Sequence, residues 1–311
     1  MLIDILIPTF NRSRDLLSNL RLLTQQIRSA HLQAAVRILV SDNCSSDDTQ
    51  EQVAKFLATD EATGVEILYS RNPRNIGLES NVVKLLELAT SDFVLWTGDD
   101  DYLADGYLEF LVNTIKERPL LGCVIPGLDS LHPDGTVRKG RIEDFEVQPI
   151  ERGFGGVLKF SHLGHQMSGL LVRRTGLLEE YLAKAAYRNP YLFIFFVASR
   201  MLQYESFYAP KFSTRVTTFN AKDWGYNSVG LLDEVFKNYL ALNDQLNKEQ
   251  IEKVLLRFTV QHSYRLSFRP LNFATLWEQY WAVARAAGGG VRFRTRLAAF
   301  FAKETLRALT D

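Results

Sequence analysis

The sequence predicts an α/β fold, with a mostly parallel sheet flanked by helices and a helical C-terminal extension. Up to about Pro126, short apolar runs rich in β-branched residues alternate with segments of helical periodicity. Strands that alternate with helices imply right-handed crossovers and parallel pairing. After Trp224 the periodicity is helical to the end of the chain. We therefore expect a main domain over residues 1–226 and a helical region over 227–311.

Five apolar runs in the first part of the chain are predicted strands: Ile3 to Ile7, Val36 to Val40, Val65 to Tyr69, Phe93 to Thr97 and Gly122 to Ile125. The first run lacks the basic start and the cleavage site of a signal peptide, so we interpret it as a strand. Between the strands, apolar residues recur at helical spacing, as at Leu16, Leu20 and Leu23. Ser45 to Asp48 resembles a capping box and predicts the start of the second helix.

Beyond Pro126 the alternation weakens. Residues 128–156 are predicted to be rich in loops, with a tight turn between strands at His132 to Gly135. Ser168 to Arg173 is a predicted strand, and Tyr191 to Leu202 is a predicted buried helix. Four helices are predicted after it: Leu231 to Leu242, Lys248 to Leu266, Phe273 to Ala287 and Val291 to Leu309.

The composition excludes several classes of protein. Lys+Arg and Asp+Glu both number 36, so nothing global argues for a nucleic-acid partner. Cys44 and Cys123 show no metal-ligand or redox spacing, which fits two thiols in a reducing compartment. No apolar run approaches the roughly 18 residues that a membrane-spanning helix needs. We expect a cytoplasmic location.

Three polar clusters follow predicted strands at their carboxyl ends: Thr9 to Arg12, Ser41 to Asn43 and Asp99 to Asp101. Ligands of open parallel sheets bind outside these strand ends. Three adjacent carboxylates repel one another unless a cation or hydrogen-bond donors compensate them. Carboxylate oxygens suit Mg²⁺ or Mn²⁺, which usually take substrate phosphates as further ligands. The pattern predicts a Mn²⁺ or Mg²⁺ site that binds a phosphate-containing substrate.

Four segments stand in order along the first 101 residues: ILIPTFNR (5–12), VSDNCSSDDT (40–49), RNPRNIG (71–77) and GDDD (98–101). Together they resemble the nucleotide-sugar-binding half of glycosyltransferase family 2, which has the GT-A fold. The resemblance implies a metal-dependent, inverting sugar transfer, with a donor-binding half over 1–126 and an acceptor-binding half over 127–226. The last segment is most similar to transferases of bacterial surface polysaccharides such as O-antigen, whose acceptors are often lipid-linked oligosaccharides.

The resemblance also implies roles for single residues. Asp42 would accept a hydrogen bond from the imide N–H of uracil or thymine, which favours a UDP- or dTDP-sugar donor; a turn aspartate is the alternative. Pro8 and Thr9 would contact the same base through their backbone. Asn75 and Gly77 precede a helix whose N-terminal N–H groups would face the nucleotide.

Asn11 and Arg12 complete the predicted donor-binding set. Arg12, Arg71 or Arg74 would pair with phosphate, although a solvated arginine is the common alternative for any one of them. In the family, an acidic pair that includes the general base usually follows the strand corresponding to Ser168 to Arg173. Here the corresponding segment is Arg188-Asn-Pro-Tyr191, which has no acidic residue.

The register of the acidic segment has two solutions. The family pattern is Asp-any-Asp followed by a further Asp, so either Gly98 occupies the leading position or Asp99 leads in a shifted frame. In both, Asp100 or Asp101 is the predicted metal ligand, and Asp99 is predicted to contact the nucleotide-sugar. An acidic loop capping the helix near Asp105 is the alternative.

Because Arg188-Asn-Pro-Tyr191 lacks the acidic pair, we expect the general base elsewhere in the chain. Asp223, beside Trp224, is the first candidate. Further candidates are Asp129, Glu143 and Asp144, with His165 as a metal ligand or acceptor contact. A nucleotide-sugar-binding protein without catalytic activity is the alternative hypothesis. A nucleotidyltransferase is disfavoured, because no glycine-rich phosphate loop follows the first strand.

The last predicted helix, Val291 to Leu309, combines five basic residues with an apolar stripe. This composition suits a helix that lies in the membrane interface, and it would place the enzyme at the inner face of the cytoplasmic membrane. Packing of the apolar stripe on the body of the protein, or on another subunit, is the alternative.

Overall fold

The computed structural model describes residues 1–140, 146–218, 230–266, 268 and 273–310. In these residues nine strands are formed: β1 (Ile3–Thr9), β2 (Val36–Asp42), β3 (Ile67–Arg71), β4 (Phe93–Trp96), β5 (Leu121–Leu131), β6 (Val137–Lys139), β7 (Gln148–Ile150), β8 (Leu171–Arg173) and β9 (Glu205–Thr217).

The helices of the same residues fall into two groups. The first group accompanies the sheet: α1 (Ser13–Ser29), α2 (Thr49–Leu57), α3 (Leu78–Leu88), α4 (Tyr107–Glu117), α5 (Phe154–Phe160), α6 (Leu177–Leu182) and α7 (Phe193–Gln203). The second group forms the C-terminal region: α8 (Gly230–Leu240), α9 (Lys248–Gln261), α10 (Phe273–Ala286) and α11 (Val291–Thr310). Both the predicted sheet with flanking helices and the helical C-terminal region are confirmed.

The strands form one sheet in the order β3-β2-β1-β4-β8-β5-β9-β7, and β6 pairs with β5. The first four are parallel, as the alternation with helices predicts. The sheet is mixed because β8 runs antiparallel between β4 and β5. In the register of β1 and β2, Thr9 lies opposite Asp42, so the two strands end at the same edge.

The sheet separates two apolar cores. Ile3, Ile5 and Ile7 of β1 pack into one core with α1, α2 and α4, whereas Leu6 packs into the other core with α3 and α7. A strand covered on both faces is apolar at nearly every position, which explains the unbroken run that predicted β1. The two helix layers leave the carboxyl ends of β1, β2 and β4 as the open edge.

Two local predictions were wrong. The predicted capping box over Ser45 to Asp48 is not formed, although α2 begins directly after it at Thr49. The Ser45 hydroxyl donates to Asp42 instead, and the Thr49 N–H donates to Asp47. The fifth strand extends to Leu131, well into the segment predicted as loop, because β6 and β9 pair with it there. The predicted tight turn at His132 to Gly135 is present between β5 and β6.

The C-terminal helices pack on the same core as the sheet. Phe236 of α8, Phe258 of α9 and Phe293 of α11 belong to one buried cluster with Trp96 of β4 and Phe196 of α7. No helix in the described ranges combines the length and the apolar character needed to cross a bilayer.

Candidate active site

A cleft of about 850 Å³ opens at the edge where β1, β2 and β4 end. Its wall includes four groups of residues: Pro8 to Phe10 with Arg12; Asn43, Asn75, Gly77 and Leu78; Gly98 to Asp101; and His165 to Ser168, Pro190, Tyr191, Phe258 and His262. Ligand pockets of enzymes have this size and position. The three polar clusters predicted from the strand ends therefore meet in one place.

The three aspartates after β4 are held by different partners. Asp99 Oδ2 accepts a hydrogen bond from the Thr9 hydroxyl at 2.8 Å. Asp100 Oδ2 lies 2.8 Å from Arg12 Nη1, and Asp99 Oδ1 lies 3.8 Å from the same nitrogen. The guanidinium group thus compensates two neighbouring carboxylates, which are otherwise mutually repulsive.

Asp101 is bound by residues of other segments. Its Oδ2 accepts from the Ser168 hydroxyl at 2.5 Å, and its Oδ1 accepts from the Thr217 N–H at 3.1 Å. A Cβ atom on Gly98 would lie 2.8 Å from Asp101 Oδ2. The side chain of Asp101 therefore explains why glycine stands at the leading position of the acidic segment.

The loops after β1 and β2 are joined by Asn11. Its backbone is left-handed (φ 54°), its N–H donates to Ser45 Oγ at 2.8 Å, and its side-chain oxygen accepts from the Ser46 N–H at 2.7 Å. Asn11 is not part of the cleft wall. Its contacts position the Thr9 to Arg12 loop that carries Arg12.

Asp42 is fully buried behind the cleft wall. Oδ1 accepts from the Ser45 N–H and hydroxyl at 2.8 and 2.6 Å, and Oδ2 lies 2.6 Å from the Tyr69 hydroxyl and 3.5 Å from Arg71 Nε. Burial, together with the hydrogen bond to Asp42, raises the pKa of Tyr69 well above its ordinary value, so this hydroxyl stays a donor. Three hydrogen bonds and the ion pair with Arg71 thus engage both oxygens of this carboxylate.

A network of asparagines supports the next part of the wall. Asn75 Oδ1 accepts from Asn43 Nδ2 at 2.8 Å and from the Gly77 N–H at 2.9 Å. Buried Asn72 and Asn81 continue the network, with 2.8 Å between Asn72 Nδ2 and Asn81 Oδ1. Sequence reasoning gave no role to Asn72 or Asn81, although an asparagine on the buried face of α3 was the available signal for Asn81.

Gly77 stands directly before α3 and has φ 82°, ψ 163°. This left-handed region is open to glycine and strained for other residues. The conformation turns the chain so that Gly77 and Leu78 both reach the cleft wall.

An ion pair holds the segment Arg188 to Tyr191, where an acidic pair was expected from the family resemblance. Arg188 Nε and Nη2 lie 2.8 and 3.0 Å from the two carboxylate oxygens of Glu79 on α3. The hydrogen bonds that Arg188 donates to Glu79 raise the pKa of Arg188. Pro190 and Tyr191 follow it into the cleft wall.

The candidates for the general base lie in different places. Asp223, Glu143 and Asp144 lie outside the described residues. Asp129 is half-buried on β5 and is not part of the cleft wall. His165 does line the cleft.

The aspartates suit a metal bound by few protein ligands. No group of three or more His, Cys, Asp or Glu side chains in the described ranges could hold a metal ion. Mg²⁺ commonly uses only one or two carboxylates together with substrate phosphates. Asp100 and Asp101, the predicted metal ligands, both lie in the cleft wall and fit a site of this kind, with Asp99 beside them.

The apolar stripe of α11 faces the body of the protein. Phe293, Leu297 and Phe301 are buried, which agrees with the packing alternative for this helix. Its five basic residues are exposed: Arg292, Arg294, Arg296, Lys303 and Arg307.

Comparison with solved structures identifies the fold as GT-A. TarS from S. aureus in complex with UDP-GlcNAc matches 99% of this chain and 89% of its own, with a TM-score of 0.66 and 16% identity. The mannosyltransferase PcManGT from Pyrobaculum calidifontis, in complex with GDP-Man and Mn²⁺, matches 99% of this chain and 80% of its own, with a TM-score of 0.58 and 16% identity. At this level of identity, the two similarities show the fold alone.

Residues 4–182 match the model of glycosyl transferase family 2, and the chain belongs to this family. Among curated proteins, the abequosyltransferase RfbV from Salmonella typhimurium is 32% identical over 118 residues. This alignment covers 38% of the chain and 34% of the relative, so it spans about a third of that protein's length.

Proposed function

We propose that this glycosyltransferase moves one sugar from a nucleotide-sugar to a glycan acceptor, with inversion and with a divalent metal ion. The observation that carries the proposal is the aspartate cluster, because Asp99 and Asp100 line the cleft beside Arg12 at the end of β4. Carboxylates placed at the strand ends of a nucleotide-binding sheet suit a metal and a diphosphate.

In the proposed donor site, Asp100 or Asp101 would hold Mn²⁺ or Mg²⁺, and Asp99 would contact the nucleotide-sugar. A bound metal supplies charge neutralisation for the departing diphosphate. Arg12 adds a second positive charge on the same side of the cleft. Asn75 and Gly77 position the start of α3, whose N–H groups favour an anion.

The proposed donor is a UDP- or dTDP-sugar. Pro8 and Thr9 line the cleft and offer backbone contacts to the base. Asp42 can serve as the imide acceptor only if the base takes the place of Tyr69 or Arg71, its present partners on Oδ2. Asn11 would contribute indirectly, because its hydrogen bonds with Ser45 and Ser46 position the loop that carries Arg12.

The proposed acceptor is a lipid-linked oligosaccharide of bacterial surface polysaccharide synthesis, such as O-antigen. The supporting observation is the similarity to the abequosyltransferase RfbV, which covers part of both chains. We further propose that α11 brings the enzyme to the inner face of the cytoplasmic membrane. Since its apolar stripe is buried, the contact would be made by its exposed basic residues and anionic lipids.

Calorimetric titration of UDP, dTDP, GDP and CDP, each with and without Mn²⁺, tests the donor site. We expect Mn²⁺-dependent binding of UDP or dTDP that Asp100→Ala abolishes. Asp105→Ala is the matched control, because Asp105 is an exposed acid four residues from the cluster end. Circular dichroism must show that both variants are folded.

Turnover separates an enzyme from a binding protein with a degenerate site. Arg188-Asn-Pro-Tyr191 supports the second possibility, because this segment has no acidic residue and its Arg188 is paired with Glu79 of α3. Unchanged turnover in both Asp100→Ala and Asp101→Ala would contradict the proposed metal site. Donor binding with neither sugar transfer nor donor hydrolysis would establish the binding protein.

A further inference from the structure

The surface of α10 carries a row of aromatic side chains. Phe273, Trp277 and Trp281 follow one another at intervals of four residues, so they lie on one side of the helix. Phe273 is 80% exposed and Trp277 is 62% exposed, whereas Trp281 is half-buried. The rings of Trp277 and Trp281 are in contact, with centroids 5.6 Å apart. Arg285 continues the row by one further turn and is also exposed.

A second row lies on the neighbouring helix, α11. It consists of four exposed residues at the same interval: Arg294, Ala298, Ala302 and Leu306. The guanidinium carbon of Arg294 is 5.6 Å from the ring centroid of Trp281, so the two rows adjoin there. Tyr280 joins the helices, because its hydroxyl donates to the Arg294 carbonyl oxygen at 3.2 Å and its ring lies 5.9 Å from that of Phe301. We call the two rows together the α10–α11 face.

The two helices that carry this face are basic, although the whole chain has no net charge. Residues 273–310 contain six basic residues and two acidic ones. The basic residues are Arg285, Arg292, Arg294, Arg296, Lys303 and Arg307. Arg292 is paired with Glu249 of α9. Arg285 and Arg294 both contact Trp281, one through its carbonyl oxygen and the other through its ring. Positive charge therefore stands directly beside the aromatic row.

This combination suits one kind of partner, the surface of a bilayer. Tryptophan is enriched where a bilayer meets water, because most of its ring is apolar and its N–H is polar. Arginine binds phosphate through several N–H donors, and basic residues near a membrane are attracted to anionic lipids. A helix that lies in the interface combines an apolar row with basic side chains.

We propose that the α10–α11 face lies on a bilayer of anionic phospholipids. Phe273, Trp277 and Leu306 enter the interface between headgroups and acyl chains. Arg285 and Arg294 bind the headgroup phosphates. The inference rests on the proposed contact of α11 with the membrane, and it extends that contact to α10 and adds an apolar part.

The α10–α11 face is connected to the cleft through α9. Arg292 of α11 pairs with Glu249 at the start of α9, and Phe258 of α9 lines the cleft. The C-terminal region thus supplies both the proposed membrane contact and part of the cleft wall. This arrangement suits an acceptor whose lipid part stays in the bilayer.

Co-sedimentation of the full chain with vesicles tests the proposal. The vesicles contain either phosphatidylcholine alone or equal parts of phosphatidylcholine and phosphatidylglycerol. We expect tighter binding to the anionic vesicles. Trp277→Ala should weaken that binding by about 10-fold, and Arg294→Gln should weaken it by about 5-fold. Leu120→Ala is the matched control, because Leu120 is 67% exposed between α4 and β5.

Fluorescence separates insertion from attraction by charge. On anionic vesicles the tryptophan emission should shift to shorter wavelength, and lipids with brominated acyl chains should quench it. Trp277→Phe should keep the vesicle binding and lose most of the quenching. Unchanged vesicle binding in Trp277→Ala would overturn the aromatic contact, and equal binding to both kinds of vesicle would overturn the role of the headgroups.

Two further outcomes separate this inference from the proposals on which it rests. A chain that is dimeric without lipid, and monomeric as Trp277→Ala, would assign the face to a second copy and overturn the proposal. Absence of vesicle binding by the unmodified chain would overturn the proposed membrane contact of α11 as well. Mn²⁺-dependent UDP binding without lipid should be equal in Trp277→Ala and the unmodified chain, and its absence from both would contradict the proposed donor site alone.

Discussion

Arg12 is expected to stabilise the metal-free protein by compensating the aspartate cluster. Its guanidinium lies 2.8 Å from Asp100 and 3.8 Å from Asp99. The variant Arg12→Met removes this charge and keeps much of the aliphatic side chain. Of the contacts described for the three carboxylates that follow β4, those that remain in this variant come from neutral donors.

The expected loss of stability lies between two limits. Removing one partner of a fully buried ion pair costs about 3–5 kcal/mol, and an exposed pair contributes about 0–1 kcal/mol. The side chain of Asp100 is 4% exposed and that of Arg12 is 26% exposed. Solvent therefore screens one partner and not the other, and we expect about 2–3 kcal/mol for Arg12→Met.

Urea unfolding in EDTA measures this difference. Arg14→Met is the matched control, since Arg14 is an exposed arginine in the first turn of α1, two residues after Arg12. Mn²⁺ should stabilise Arg12→Met more than the unmodified protein, because a bound cation takes over the missing compensation. Equal unfolding free energies for Arg12→Met and Arg14→Met would refute the reasoning.

Three further substitutions test other parts of the structure. Asp4→Asn should lower the unfolding free energy by about 3–5 kcal/mol in urea at pH 7, because buried Asp4 binds Arg37 through both oxygens. Burial alone would raise the pKa of Asp4. Hydrogen bonds from Arg37 and from the backbone N–H groups of Thr90 and Ser91 outweigh the effect of burial, so the pKa is lowered. Its contribution should be complete above about pH 4 and be lost as the pH falls through the folded-state pKa. Tyr69→Phe should cost about 1–2 kcal/mol in urea unfolding, since Asp42 loses a 2.6 Å hydrogen bond. Gly77→Ala should cost about 1–3 kcal/mol and weaken UDP binding in calorimetry, because φ 82° strains any residue with a Cβ atom.

The fold of residues 1–126, the half expected to bind the donor, was predictable because its information is local. The parallel strands are buried on both faces, so each appears as a continuous apolar run, and the polar residues that follow each run mark the open edge. The grouping of Thr9, Arg12 and Asp99 to Asp101 in one cleft follows from this topology. The exact hydrogen-bond and ion-pair partners do not follow from the topology. Side-chain geometry decides whether Arg12 or a metal compensates the charge of Asp100.

The chain after residue 126, which includes the half expected to bind the acceptor, was less predictable because its contacts are distant in sequence. β5 continues to Leu131 only because β9 pairs with it from about 85 residues further on. His165 and His262, whose rings pack together in the cleft wall, are nearly 100 residues apart, and neither lies in a recognisable motif. Asp42 was expected at the base-binding surface, but its burial depends on Tyr69 and Arg71 of the neighbouring strand.

The C-terminal helices are expected to be required for folding of the whole chain. The predicted domain division at residue 226 lies outside the described residues, but the buried cluster runs across it and joins Phe236 and Phe258 to Phe196. Burying a large apolar side chain contributes about 1.5–3 kcal/mol, so loss of several such contacts approaches the total stability of about 5–15 kcal/mol. A chain ended at residue 226 should therefore be insoluble or lack cooperative unfolding in urea. A cooperative transition in that chain, with a midpoint equal to that of the full protein, would show that the helices form a separate unit and only adjoin the cleft through Phe258 and His262.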